Sequence, residues 1–121
     1  MTMKTVKVAE ATELQLDWLV AYAQGRTPTL NMNSHGRVWH GWWLATGGEY
    51  ERMPNYSNDW AHGGPIIERE GISIYRMTSD WSAAYNPSGA AQDGPTPLIA
   101  VMRCYVSNHL GNEVEVPEEL L

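Results

Sequence analysis

Phenylalanine is absent from this chain of 121 residues, which instead contains six tryptophans and six tyrosines. Every large aromatic ring therefore carries a hydrogen-bonding group. Such rings are favoured at interfaces, where one end of the ring is apolar and the other is hydrogen-bonded. This composition favours a surface or pocket rich in Trp and Tyr, although rings of this size also commonly fill a protein core.

Cysteine and positive charge are both scarce. Cys104 has no second cysteine with which to pair, so the chain suits a reducing compartment. Eight Lys and Arg residues are scattered among fourteen Asp and Glu, which gives a formal net charge of −6. Because binding to duplex nucleic acid needs a concentrated basic face, this composition argues against duplex nucleic acid as a partner. Arg69, Arg76 and Arg103 could still form a local basic pocket.

Long apolar runs and paired metal-ligand spacings are missing as well. No run approaches the roughly 18 apolar residues of a membrane span, and no basic-then-apolar leader opens the chain. We therefore expect no membrane partner. The four histidines and Cys104 form neither a CxxC nor an HExxH pattern, so we expect no metal and no cofactor. The length is that of one domain, residues 1–121.

Two main helices are predicted from their end signals. Residues 12–15 have the sequence of a capping box and predict a helix over residues 13–24. Thr96 as N-cap and Pro97 as first helical residue predict a second helix, which Gly111 closes. Alternating apolar patterns predict short strands at residues 27–32, 37–44, 72–76 and 113–116. This order of elements predicts an α+β fold, a single small domain with two main helices packed on a small, mostly antiparallel sheet.

The centre of the chain is less regular. Ala45–Asp59 is the longest stretch without a periodic pattern, and loops of that length are commonly functional or mobile. After it, Pro65 predicts the first turn of a short helix that ends at Gly71.

Residues 37–44 are rich in tryptophan. In a strand, Trp42 and Trp43 point to opposite faces, and neither face of this segment is plainly polar. Such a strand is either buried on both sides or has one face against a ligand or a second subunit. The second case is compatible with a homodimer or a higher homo-oligomer.

The segment that begins at Trp60 combines an indole with Gly63, Gly64 and Pro65 at the predicted start of a helix. Free backbone N–H groups and the helix dipole at such a start attract anions. Against this, proline removes donors from the same turn, and the spacing matches neither the Walker loop nor the dinucleotide fingerprint. A phosphate site and a simple helix start therefore both remain open.

Trp60 and Trp81, with arginines nearby, suggest a stacking clamp for a flat ring, because stacking on a base contributes roughly 1–3 kcal/mol per ring. The alternative is that both indoles belong to the core. Arg69 is a candidate for a planar contact with an anion. The candidate ligand-binding residues are Trp60, Gly63, Gly64, Arg69, Trp81, Thr96, Arg103, Trp42 and Trp43.

Ser57, Asp59 and His62 are the residues that would form a hydrolytic triad. The sequence around Ser57 does not have the nucleophile-elbow pattern that exposes a catalytic serine. A histidine beside glycines is more often a hydrogen-bonding surface residue. We therefore assign no catalytic residues and expect a protein that is not an enzyme.

The run Trp60-Ala61-x-Gly63-Gly64-Pro65-Ile66-Ile67-Glu68-Arg69-Glu70, then Trp81, then Gly94-Pro95-Thr96-Pro97-Leu98-Ile99, resembles the small phage proteins called NinX. The resemblance covers most of the chain except residues 37–55, which are longer and richer in Trp than in the usual member. The family comes from the nin region of lambdoid phages and has no known function, so no catalytic residue is carried over. The resemblance implies a phage accessory protein in the host bacterial cytoplasm.

Two functions are compatible with this setting. The first is non-catalytic sequestration of a small nucleotide-derived ligand, such as a host-defence signal, by the Trp, Gly and Arg residues given above. The alternative is an inhibitor or adaptor that binds a host enzyme through a Trp-rich surface, with Trp39, Trp43 and the Gly47–Asp59 loop. Both functions rest on analogy with other small phage accessory proteins.

Overall fold

The computed structural model describes residues 2–32, 38–46, 49–85 and 89–121. For residues 30–32, 38–41, 45–46 and 49–50 it describes the backbone alone.

Three α-helices and eight strands make up the described part of the chain. The helices are α1 (Glu13–Ala23), α2 (Trp60–Glu70) and α3 (Pro97–Leu110). The strands are β1 (Met3–Lys7), β2 (Thr29–Met32), β3 (Val38–Thr46), β4 (Glu49–Arg52), β5 (Ser73–Arg76), β6 (Trp81–Ala84), β7 (Gln92–Gly94) and β8 (Glu113–Pro117). Short 3₁₀ turns follow β1 at Val8–Glu10 and β8 at Glu118–Leu120. The predicted α+β class is confirmed.

The strands form three small antiparallel sheets, in the orders β1-β8, β2-β3-β4 and β5-β6-β7. Two of these sheets are local meanders, because consecutive strands joined by short connections pair with each other. The third pairs the two ends of the chain, from Met3 opposite Pro117 to Lys7 opposite Glu113. The antiparallel pairing and a short helix ending at Gly71 were predicted, but the division into three sheets and the full length of α2 were not.

Helix α1 begins as the sequence predicts. The Thr12 hydroxyl accepts from the N–H of Gln15 at 3.4 Å, and the Gln15 side-chain oxygen accepts from the N–H of Thr12 at 3.0 Å. These reciprocal bonds satisfy two backbone donors that the first turn otherwise leaves unpaired. The side-chain NH₂ of Gln15 also donates to the carbonyl of Leu120 at 3.0 Å, which attaches the end of the chain to α1.

Helix α3 is the centre of the core. Thr96 caps it by accepting from the N–H of Ile99 at 3.2 Å, and Pro97 occupies the first turn, as predicted. Most of the helix is buried, and it packs against α1, α2, β6 and β7. The buried residues are Leu98, Ile99, Ala100, Val101, Met102, Cys104, Tyr105 and Val106. A helix that is apolar on nearly every side requires cover from several elements.

Helix α2 begins five residues before the predicted start at Pro65, so that prediction is wrong. Asp59 is the N-cap, and its carboxylate accepts from the N–H of Ala61 at 2.9 Å. Pro65 lies inside the helix. Gly64 precedes it and has no Cβ, which removes one of the two clashes that disfavour the helical conformation before proline. Gly71, with φ +69°, ends the helix as predicted.

The expectation of an irregular segment over Ala45–Asp59 is wrong for its first half. Strand β3 continues to Thr46, and β4 pairs with it, Thr46 lying opposite Glu49. Gly47 and Gly48 lie outside the described residues, but this Gly–Gly pair is a sequence signal for a two-residue hairpin connection. The prediction did not use that signal.

The segment between β4 and α2 is attached to α1 by a buried carboxylate. The backbone N–H and the hydroxyl of Ser57 both donate to Oδ1 of Asp17, at 2.8 Å each. Asp17 and Ser57 are 4% and 1% exposed. Burial raises the pKa of Asp17 from 3.8 to about 6, and the bonds from Ser57 oppose this shift without cancelling it.

Gly63→Ala should destabilise the fold. A Cβ at this position would stand 2.4 Å from the carbonyl oxygen of Tyr56 and 2.7 Å from Cδ2 of Leu98. We expect a loss of about 1–3 kcal/mol in the free energy of unfolding, as for other overpacked sites. Helix propensity alone predicts the opposite sign, a gain of about 1 kcal/mol. Urea unfolding decides between them, and an unchanged or raised midpoint would contradict the close packing.

Asp17→Asn should change how stability depends on pH. The raised pKa of Asp17 favours the folded state below pH 3.8, and this contribution is lost as the pH rises through about 6. Asparagine keeps the oxygen that accepts from Ser57 but has no charge to bury. We therefore expect the variant to gain about 2–3 kcal/mol relative to the original protein between about pH 4 and about pH 7.

Urea unfolding at both pH values measures this difference. Glu68→Gln, a change of one exposed charge on α2, is the matched control and should show no such gain. A constant difference between Asp17→Asn and the original protein at both pH values would contradict the buried-carboxylate explanation.

Candidate functional site

The predicted ligand-binding residues fall in three separate places. Trp60, Gly63, Gly64 and Arg69 lie on α2. Three more lie around the junction of β6, β7 and α3, namely Trp81, Thr96 and Arg103. The remaining two, Trp42 and Trp43, lie on β3.

The glycines of α2 do not form an open cradle for an anion. Gly63 is buried, and its N–H donates to the carbonyl of Asp59 at 2.8 Å, as in any helix interior. The carboxylate of Asp59 already occupies the start of the helix. Because α2 begins at Trp60, the expectation of free amides at Gly63 and Gly64 is wrong. Gly63 instead permits close contact with Tyr56 and with Leu98 of α3.

The contacts of Arg69 are with Glu70 and Tyr105, neither of which is a predicted ligand-binding residue. Its Nε lies 3.4 Å from Oε2 of Glu70, at the exposed end of α2. Glu70 in turn accepts from the hydroxyl of Tyr85 at 3.0 Å and lies 3.7 Å from Nε2 of His109. This polar cluster joins the ends of α2 and α3.

Trp81, Thr96 and Arg103 are brought close together by the pairing of β6 with β7. Trp81 lies opposite Gly94, two residues before the Thr96 cap. The guanidinium of Arg76 lies over the half-buried Trp81 ring, 5.2 Å from its centroid. A cation over an indole is a favourable contact and leaves that face of the ring covered.

Arg103 acts mainly as a structural tie. Its Nη1 donates to the carbonyl of Asp93 at 2.8 Å, and its Nη2 donates to the carbonyl of Ala11 at 3.0 Å. Among the residues that the structure describes, the buried Nε has no hydrogen-bond partner. Burial lowers the pKa of Arg103, while the negative charge of Asp80 opposes that shift. Two of its nitrogens are therefore committed to the backbone.

A hollow of about 530 Å³ lies beside Arg103, lined also by Asp80, Gln92, Asp93 and Gly94. Two carboxylate residues thus surround one guanidinium that already serves the fold. Such a lining disfavours a phosphate-rich anion, because like charges at short range repel. It offers hydrogen bonds to neutral polar groups such as sugar hydroxyls.

Trp42 of β3 is buried, with 4% of its surface exposed. It forms one wall of a hollow of about 450 Å³, together with Leu14, Arg52, Met53 and His62 among others. Trp43 is half-buried, on the opposite face, and its buried Nε1 has no hydrogen-bond partner in the described part of the chain. For Trp39 the structure describes the backbone and not the side chain.

Ser57, Asp59 and His62 are not arranged as a triad. The Ser57 hydroxyl is buried and donates to Asp17, while His62 Nδ1 accepts from the N–H of Asn55 at 3.1 Å. That bond assigns the proton of a neutral His62 ring to Nε2. His62 Nδ1 also lies 3.7 Å from Oδ2 of Asp59.

Trp60 differs from the other described indoles, because 56% of its surface is exposed. Trp18 and Trp42 are 3% and 4% exposed. Neither Trp60 nor Trp81 lines the hollows given above. Trp42 therefore belongs to the core and Trp81 is partly buried, whereas Trp60 does not belong to the core.

Sequence reasoning missed a third hollow, of about 390 Å³, between α1 and the β1-β8 pair. Its lining includes Trp18, Tyr22, Glu113 and Glu115. The Trp18 and Tyr22 rings are stacked, with centroids 5.2 Å apart and planes 11° apart. The i, i+4 spacing on α1 was the signal that could have found this pair. Trp18 also holds a buried N–H without a partner, which costs about 1–3 kcal/mol.

In the part of the chain that the structure describes, no group of three or more His, Cys, Asp or Glu is arranged to hold a metal ion. None of the described helices has the length and apolar character needed to cross a membrane.

Comparison with known proteins identifies the family. A family model described as Bacteriophage P22, NinX matches residues 7–109, from the end of β1 almost to the end of α3. A search of curated proteins found no match. The matched range includes the capped α1, the whole of α2 and the β6-β7-α3 junction. The chain therefore belongs to the bacteriophage P22 NinX family, a phage protein family of unknown function.

Proposed function

We propose that this phage protein acts in the host cytoplasm by binding a host protein without catalysing a reaction, and that Trp60 is the centre of the contact. Membership of a phage family supports the setting. Of the two functions that the sequence suggests, we prefer the protein-binding inhibitor or adaptor to the nucleotide binder. Its anchor is Trp60 and not Trp39 or Trp43.

The exposure of Trp60 is the observation that carries the proposal. An indole buries a large apolar area when it is covered, and tryptophan is enriched among residues that dominate binding energy. The fold leaves 56% of this side chain exposed while it buries Trp18 and Trp42. The Asp59 cap fixes the start of α2 and therefore the position from which the indole projects.

The residues around Trp60 supply a polar border. Asn58, Asp59 and His62 are all exposed, and Asp59 and His62 are held by hydrogen bonds to the backbone of Ala61 and Asn55. An apolar anchor surrounded by polar groups is the usual arrangement of a protein interface. The formal charge of −6 favours a basic partner surface.

Sequestration of a nucleotide-derived ligand, such as a host-defence signal, is a second candidate. The observation that favours it is the hollow at β7, which Arg103 lines and whose Gly94 lies opposite Trp81 in the register of β6. Asp80 and Asp93 in that lining oppose the phosphates of such a ligand. This opposition is the reason for placing it second.

Trp60→Ala should abolish partner binding without unfolding the protein. We expect recovery of a stoichiometric host partner to fall by about tenfold or more, as for other tryptophan anchors. Tyr75→Ala is the matched control, because Tyr75 is an aromatic residue of β5 that is 42% exposed. Quantitative pull-down from host lysate gives the comparison. Equal recovery by all three proteins would refute a role for Trp60.

The nucleotide candidate has its own measurement. A panel of cyclic nucleotides and ADP-ribose derivatives at a hundredfold excess over Kd should raise the free energy of unfolding by about 2.7 kcal/mol if one of them is the ligand. Trp81→Ala should reduce that gain, because it removes the ring on which the base would stack. Unchanged melting with every compound would eliminate this candidate.

A further inference from the structure

We propose that the hollow between α1 and the β1-β8 pair binds the guanidinium group of an arginine residue carried by a protein partner. The hollow has a volume of about 390 Å³ and lies between Trp18 and Tyr22 on one side and Glu113 and Glu115 on the other. Trp60 does not line this hollow. A test of the hollow and a test of the proposed Trp60 contact can therefore fail independently of each other.

The aromatic wall suits a planar cation. Trp18 and Tyr22 are stacked nearly parallel, 11° apart, and Trp18 is 3% exposed whereas Tyr22 is 49% exposed. The buried indole packs against one face of the Tyr22 ring, while about half of the Tyr22 side chain remains exposed to solvent. Guanidinium groups stack on aromatic faces and are less strongly hydrated than ammonium groups.

The carboxylate wall supplies the opposite charge. Glu113 and Glu115 are alternate residues of β8 and are both exposed. Within the described residues neither carboxylate forms an ion pair, although Lys7 lies opposite Glu113 in the register of β1. Lys7 does not line the hollow. Paired carboxylate oxygens match the fork of an arginine side chain and fix its orientation.

The overall charge of the chain favours a protein as the source of the guanidinium. The formal net charge is −6, and an acidic surface is complementary to a basic protein surface. The indole N–H of Trp18 is itself buried, so it does not contact a ligand in the hollow directly. It lies on the ring that stacks against Tyr22, and it therefore reports a ligand that covers Tyr22.

Titration followed by NMR tests the proposal. In ¹⁵N-labelled protein, the six tryptophans give separate indole N–H signals, and loss of one signal in Trp18→Phe assigns Trp18. N-acetyl-arginine amide at millimolar concentration should shift the Trp18 signal in a saturable way. Glu113→Gln/Glu115→Gln should weaken binding by about tenfold, the effect of losing two charge-assisted bonds.

Glu118→Gln/Glu119→Gln is the matched control, because it removes the same charge from exposed residues next to β8 that do not line the hollow. Its affinity should stay unchanged. N-acetyl-lysine amide carries the same single positive charge and should bind more weakly than the arginine amide, because its ammonium does not stack.

Three results would overturn the proposal. The first is the absence of any shift of the Trp18 signal with the arginine amide. The second is equal weakening by both double variants, which would show only the effect of net charge. The third is equal or tighter binding of the lysine amide, which would contradict the stacking contact. Trp18→Phe serves for assignment alone, and the glutamate variants change exposed side chains.

Discussion

The burial of α3 is the constraint on which the rest of this structure depends. Its residues from Leu98 to Val106 are buried on nearly every side, so the other elements must approach it closely. Two glycines make this approach possible. A Cβ at Gly63 of α2 would meet Leu98 at 2.7 Å, and a Cβ at Gly94 of β7 would meet the backbone nitrogen of Ala100 at 2.7 Å.

The two Trp and Gly-Pro segments that stand out in the sequence therefore share a structural meaning. Each places a glycine against α3, one through Gly63 and the other through Gly94. In the sequence, Gly63 is compatible with an anion site, because a glycine needed for close packing and a glycine needed for ligand access look alike. The contacts of the missing Cβ distinguish the two meanings, and here they favour packing.

Binding chemistry consequently lies at the surface of the α3 core. Trp60 is left exposed at the start of α2. The hollow lined by Trp18 and Tyr22 lies beside the sheet in which the two ends of the chain pair, β1 with β8. Carboxylates line both this hollow and the one beside Arg103. With a formal charge of −6, these surfaces favour cationic or neutral partners over polyanions.

The sequence by itself determined the local elements and the family. Caps at Thr12 and Thr96, the stop at Gly71 and the apolar stripe of α3 act within a few residues, so they can be read without the fold. The Asp59 cap of α2 is a local signal as well, because its carboxylate accepts from the N–H of Ala61, but the prediction followed the signal of Pro65. Only the tertiary structure decided the packing of α2 against α3, where Gly63 meets Leu98. It also decided the three separate sheets, since Met3 and Pro117 pair across almost the whole chain. Which indoles are exposed depends on such distant contacts, and for that reason Trp60 and Trp42 could not be told apart from their sequence surroundings.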